Sequence, residues 1–271
     1  MTLPFKTGLK LYSTNLSLIP EVRTLGGVRV EFIELYAIPG SYELTVSHWK
    51  DLEVPFVIHA AHSHHGVNLA RADHEIVNRT SIREACRFAD ALGAEIVIVH
   101  GGNSGTFEEA VRQISLLGDR RITLENKPKI GVRGNLCVGY SPEEFRYALS
   151  SGALAATALD IGHADCAAHS LGVDSLDYLR EFLALKPVIY HLSDRDTSSE
   201  TDVHLNLGKG SLDLDTILDL IPAGASVTLE TPRDPARGLD DFVEDVRYLV
   251  TTSANARTDK RSKQTKRRTE S

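Results

Sequence analysis

The chain has 271 residues, 42% of them hydrophobic, enough to bury the single core of one α/β domain. Three widely spaced cysteines, Cys86, Cys137 and Cys166, exclude a disulfide framework and a paired-cysteine metal knuckle, and point to a reducing, cytoplasmic setting. The net charge of −7 is uneven: residues 252–271 hold seven basic and two acidic side chains, a surplus of five that leaves −12 for the rest.

No apolar run nears the roughly 20 residues that span a bilayer, so no membrane partner is expected. MTLPFKTGLKLY lacks the basic-then-apolar profile of a secretory signal. Strands are expected at 8–12, 28–35 and 56–59, the third leading into the loop AAHSHHG. A helix at 81–92 precedes a strand at 95–100, and a helix at 106–117 precedes a strand at 121–125. Ser141-Pro142-Glu143-Glu144 starts a helix over 142–150, with serine as N-cap, proline in the first turn and acids at the positive end of the dipole. Strands at 155–160, 187–191 and 226–230 follow, with helices at 176–185 and 239–250. Gly93, Gly118 and Gly152 stand where helices want a left-handed cap.

Runs such as IVIV (96–99) and VIY (188–190) are apolar on both faces, as parallel strands are. Eight alternations of strand and helix predict a closed (β/α)8 TIM barrel over residues 1–251. No GxGxxG follows the first strand, which excludes the main dinucleotide-binding signature. Residues 252–271 carry no aliphatic side chain beyond alanine and are expected to be a disordered basic tail. Its Lys260, Arg261, Lys263, Lys266, Arg267 and Arg268 are the candidate phosphate contacts to nucleic acid, against the plainer reading of a solvated terminus.

The chemistry lies in what closes each strand. His59, His100, Glu125, Asp160, His191 and Glu230 stand in turn at the ends of six apolar runs. One histidine there is ordinarily a hydrogen-bonded core or rim residue. Six metal-capable side chains in succession, converging on the C-terminal rim of a barrel, predict a metal site. His163 follows Asp160 by three residues, and Asp202 and His204 alternate along an extended segment. These nine candidates, five histidines and four acids, exceed the four or five ligands of one zinc and suit two or three ions. Mixed imidazole and carboxylate donors favour Zn2+, with Mn2+ and Fe2+ as alternatives. His62, His64 and His65 are read as loop or rim residues, with His62 competing with His59 as a ligand.

The segments VIHAAHSHHGVNLA (57–70), IVIVHGG (96–102), ITLENKP (122–128), ALDIGHA (158–164), VIYHLSD (188–194), DVHLNLGKG (202–210) and VTLETP (227–232) resemble the xylose-isomerase-like TIM barrels. Within these, they resemble the endonuclease IV family of apurinic/apyrimidinic endonucleases. The resemblance implies one metal on His59, His100 and Glu125, a second on Glu125, Asp160, His191 and Glu230, and a third on His163, Asp202 and His204. It implies hydrolysis of a phosphoester, with DNA at an abasic site as the partner, Glu125 between metals and Glu230 orienting water. Lys209 is the expected phosphate contact. The set Glu125, Asp160, His191 and Glu230 alone equally implies a sugar isomerase or epimerase, with the two glutamates shuttling a proton. Where the family carries an aromatic wedge, this chain has His62, His64 and His65, and Lys209 replaces an acid.

Overall fold

The structure, a computed structural model, describes residues 3–25 and 28–253. The basic tail and its candidate phosphate contacts, Lys260 through Arg268, lie outside the described residues.

Eight strands form: β1 Lys6–Tyr12, β2 Phe32–Tyr36, β3 Phe56–His59, β4 Val97–His100, β5 Ile122–Glu125, β6 Ala156–Asp160, β7 Ile189–Leu192 and β8 Ser226–Leu229. Each pairs in parallel with the next, and β1 pairs with β8, closing the barrel. Outside lie α1 (Ile19–Thr24), α2 (Tyr42–Lys50), α3 (Glu75–Leu92), α4 (Phe107–Leu117), α5 (Pro142–Ser150), α6 (Ile161–Leu171), α7 (Ser175–Leu183), α8 (Leu214–Leu220) and α9 over 240–253. The capping box at Ser141 and Glu144 is present, and Gly93 and Gly118 cap α3 and α4 with φ of 67° and 65°. Gly152 sits one residue beyond the cap of α5, which is Ser151.

Three expectations need correction. The helix expected at 81–92 begins at Glu75, six residues earlier. The second strand begins at Phe32 rather than at residue 28, because the partners on β1 and β3 begin at Gly8↔Phe32 and Ile33↔Phe56. The helix α6 was not expected. Residues 161–168 are buried throughout, so the segment lacks the amphipathic stripe that marks a surface helix. Among the described residues, no helix is long and apolar enough to cross a membrane.

The strand period of two determines what fills the barrel. Phe32, Val57, Ile98, Ala158 and Ile189 point inward and make a closed apolar floor, separate from the larger core between sheet and helices. Two residues further along, the same parity delivers Glu34, His59, His100, Asp160 and His191 to the layer above. Gly8 makes room for this floor, since a Cβ there would overlap the Phe32 ring. Gly8→Ala should therefore destabilise the protein by about 1–3 kcal/mol. Denaturant unfolding checks this, and an unchanged midpoint would show that Phe32 can move aside freely.

Candidate metal centre

Glu125, at the end of β5, is the hub. Its Oε2 lies 3.1 Å from His59 Nε2 and 2.8 Å from His100 Nε2. Its Oε1 lies 3.3 Å from His163 Nδ1 and 3.4 Å from His191 Nδ1. The carboxyl is 1% exposed, so four imidazoles converge on a group sealed from water. Burial pushes its pKa up, but His100, His191 and His163 outweigh this and hold it well below the usual carboxylate range.

A second cluster stands beside it. His204 Nε2 is 2.7 Å and His163 Nε2 3.3 Å from Asp202 Oδ2. Burial would lower the His204 pKa, but the bond to Asp202 outweighs it and raises the pKa to about 9. His100 has less compensation, and burial drives it to about 3. Asp160 serves two elements: its Oδ1 caps α6 by accepting the His163 N–H at 2.7 Å, leaving Oδ2 for the site.

Several rings are aimed by their far nitrogens. His59 Nδ1 lies 2.8 Å from the Ala60 carbonyl, His163 Nδ1 2.8 Å from that of Asn126, and His204 Nδ1 2.6 Å from that of Glu230. Each carbonyl accepts a hydrogen bond from Nδ1–H there and leaves Nε2 as the free donor atom. His191 is aimed the other way: Nε2 lies 2.8 Å from Glu34 Oε2, so Nδ1 faces the cluster. That Nδ1 is 2.8 Å from Glu230 Oε1, yet it is buried without a proper hydrogen bond, as is Asp202 Oδ1.

Orphaned buried donors, oriented imidazoles and shared carboxylates are what a divalent ion requires. Four groups have donor atoms within 4.8 Å of one another: His59–His100–Glu125, Glu125–Asp160–His191, Asp160–His163–His204 and Glu34–His191–Glu230. Eight of the nine residues singled out in the sequence stand in these groups, and Asp202 joins them through His163 and His204, so that all nine meet at one rim.

Sequence reasoning missed Lys10 and Glu34. They are register partners on β1 and β2, and Lys10 Nζ reaches Glu34 Oε1 at 3.1 Å and also bonds Glu230 Oε1. Glu34 is fully buried and also accepts from Thr228 Oγ1 at 2.7 Å. Burial works against its charge, but His191 and Lys10 bring its pKa down to about 2. The signal was present: an acid inside FIELY and a lysine inside GLKLY, each the lone charge in an otherwise uncharged strand core.

The loop carrying Asp202 and His204 is fixed from outside. Asp194 and Leu205 exchange backbone bonds of 3.0 and 2.7 Å. The Asp194 carboxylate accepts from the N–H groups of Gly208, Gly210 and Leu212. Behind it, the fully buried Arg195 pairs with Asp165 on α6.

This anchoring corrects the reading of Lys209. It sits in an exposed turn, with its N–H bonded to the Asn206 carbonyl, and lines neither recess of the rim cleft. The cleft has one recess of about 380 Å3 above Lys10, His100, His204 and Glu230, and another of about 390 Å3 beside Lys127 and Arg133. His62 is not among the donor groups; its ring stacks on His100 with centroids 4.9 Å apart and its N–H bonds the Tyr36 hydroxyl. His65 Nδ1 lies 3.1 Å from that hydroxyl, and His64 lines both recesses.

Comparison with known proteins agrees with the architecture. Endonuclease IV from Thermus thermophilus superposes with a TM-score of 0.67 at 24% identity, covering 92% of this chain and 99% of its own. A second Thermus thermophilus protein, solved after soaking with ZnCl2, gives 0.64 at 21% identity, covering 93% and 99%. A D-tagatose 3-epimerase-like protein gives 0.62 at 19% identity, covering 92% and 100%. No curated protein matches the chain. The profile of one family, described as xylose isomerase-like TIM barrel, matches residues 31–252, most of the chain. By that match, the chain belongs to the xylose isomerase-like TIM barrel family.

Proposed function

We propose that this protein is a metal-dependent phosphoester hydrolase, with DNA at abasic or damaged sites as its expected substrate. One observation carries the reading. The donors extend beyond the set Glu125, Asp160, His191 and Glu230 to two further clusters, His59–His100 and His163–Asp202–His204. Three of the four imidazoles in these clusters are aimed by backbone carbonyls, which orients them for ligation. Sugar isomerisation needs no such additions.

These nine residues would hold divalent ions, zinc foremost, which would supply Lewis-acid charge for the phosphoryl oxygens and the incoming water. Glu125 joins the clusters and fixes their spacing. Glu230 opens onto the cleft, with its side chain 10% exposed, and orients the water. Lys10 neutralises Glu230 and Glu34 from below, and Glu34 holds the His191 ring in place. Arg233, lining the recess without a carboxylate partner among the described residues, adds a cation for the substrate.

The test joins two measurements on one sample: a metal count, and cleavage of a duplex with an abasic site, with and without EDTA. Two to three ions per chain and EDTA-sensitive cleavage are expected. One ion and turnover of a ketose would establish the sugar isomerase or epimerase reading instead. Removing residues 254–271 should weaken DNA binding and make it less sensitive to salt, the log–log slope falling by about one for each phosphate that the tail neutralises. An unchanged slope removes the basic tail from the interface.

A further inference from the structure

The recess beside the metal centre has a feature that the hydrolase reading leaves unused. One wall is a hairpin over 127–139, closed by bonds from Lys127 N to Gly139 O (2.8 Å), Cys137 N to Lys129 O (3.0 Å) and Gly131 N to Asn135 O (2.9 Å). It is pinned to the loop after β4 by bonds from Ser104 N to Leu136 O and Val138 N to Gly102 O. The buried Asn68 fastens the opposite wall to that same loop. Its Oδ1 accepts from Asn103 N, its Nδ2 donates to Asn103 O, and its own N–H is held by Asn78. The recess is therefore rigid and formed in advance.

Its charge is unusual for this protein. The chain outside the basic tail has a net charge of −12, and arginines such as Arg71, Arg87, Arg112 and Arg146 pair with carboxylates. Lys127, at the foot of the hairpin, and Arg133, near its tip, both line the recess, and neither has a carboxylate within 4.0 Å among the described residues. The one acid in the lining, Asp202, is engaged by His163 and His204. Two free cations facing a rigid hollow amid surplus acid make a ready anion site. Lys127 lines the other recess as well, so it stands between this hollow and the donor cluster.

We propose that this recess is an anion subsite holding a second phosphate group of the substrate, one unit away from the phosphate at the metal centre, through Lys127 and Arg133. It rests on the hydrolase reading and narrows its substrates to those bearing neighbouring phosphates.

Binding of inorganic phosphate to the full-length, chelator-treated protein, followed by calorimetry, tests it apart from turnover. The wild type should bind phosphate. Lys127→Gln with Arg133→Gln should weaken binding at least about tenfold, and Lys127→Arg should retain it. Lys209→Gln should leave it in place, since that exposed side chain lines neither recess. Thermal unfolding verifies that each variant is folded. Equal binding by the wild type and the double glutamine variant overturns the subsite, as does a wild type that binds no phosphate. Phosphate binding that depends on Lys127 supports it even if the holoprotein cleaves no phosphoester, so the two readings fail separately.

Discussion

Glu125→Gln should strip the site of at least one ion and lower turnover about 10^3-fold or more, some 4 kcal/mol of transition-state stabilisation. The carboxylate meets His59 and His100 through Oε2, and His163 and His191 through Oε1. An amide keeps the shape but offers one neutral acceptor in place of two charged ones. Nothing then links the His59–His100 donors to the rest. Elemental analysis should show the loss directly, and circular dichroism should show a folded barrel. A Glu125→Gln protein with full metal content and wild-type cleavage would refute the hub role. The same substitution should lower thermal stability too, since His191, raised well above its ordinary pKa against burial by Glu230, Glu34 and Glu125, loses one of its buried counter-charges. Removing one partner from such a cluster is costly, about 3–5 kcal/mol in comparable buried pairs.

The barrel was legible because parallel strands are apolar on both faces, so a histidine or acid closing one stands out. His59, His100, Glu125, Asp160 and His191 all read this way, and pairs such as His100↔Glu125 and Asp160↔His191 place them side by side. Lys10 and Glu34 were not legible by that rule, because each lies inside its strand, with apolar residues following. Only the register that sets Lys10 against Glu34, with Glu230 arriving just past the end of β8, turns two isolated charges into a buried network.

Loops were legible by spacing but not by direction. The Asp202–His204 alternation gave the right pair, whereas Lys209 was placed at the substrate by its position in the segment. Its direction depends on Asp194, which ties down Gly208 and Gly210 from the far side. Two of the cations that face the cleft, Lys127 and Arg133, carry no local mark in the sequence. Their role emerges only once the hairpin folds against the β4 loop.

His204→Ala separates the two readings of this site, phosphoester hydrolysis and ketose epimerisation. His204 is partly exposed and belongs only to the outer cluster, where Nε2 meets Asp202 and Nδ1 meets the Glu230 carbonyl. Its loss should cost folding about 1–3 kcal/mol, for the hydrogen bond to that carbonyl and the pairing with Asp202. It should release the outermost ion and reduce phosphoester cleavage about 10^2- to 10^3-fold. The inner donors Glu125, Asp160, His191 and Glu230 are untouched, so ketose epimerisation, if that were the reaction, would continue at the wild-type rate. Asp202→Asn should behave as His204→Ala does, because Asp202 Oδ2 joins His204 to His163. Metal content falling by one ion with cleavage lost identifies the outer cluster as part of a hydrolytic centre. Unaltered metal content in both variants would mean that these three residues form only a hydrogen-bonded rim, and the hydrolase reading would lose the observation on which it stands.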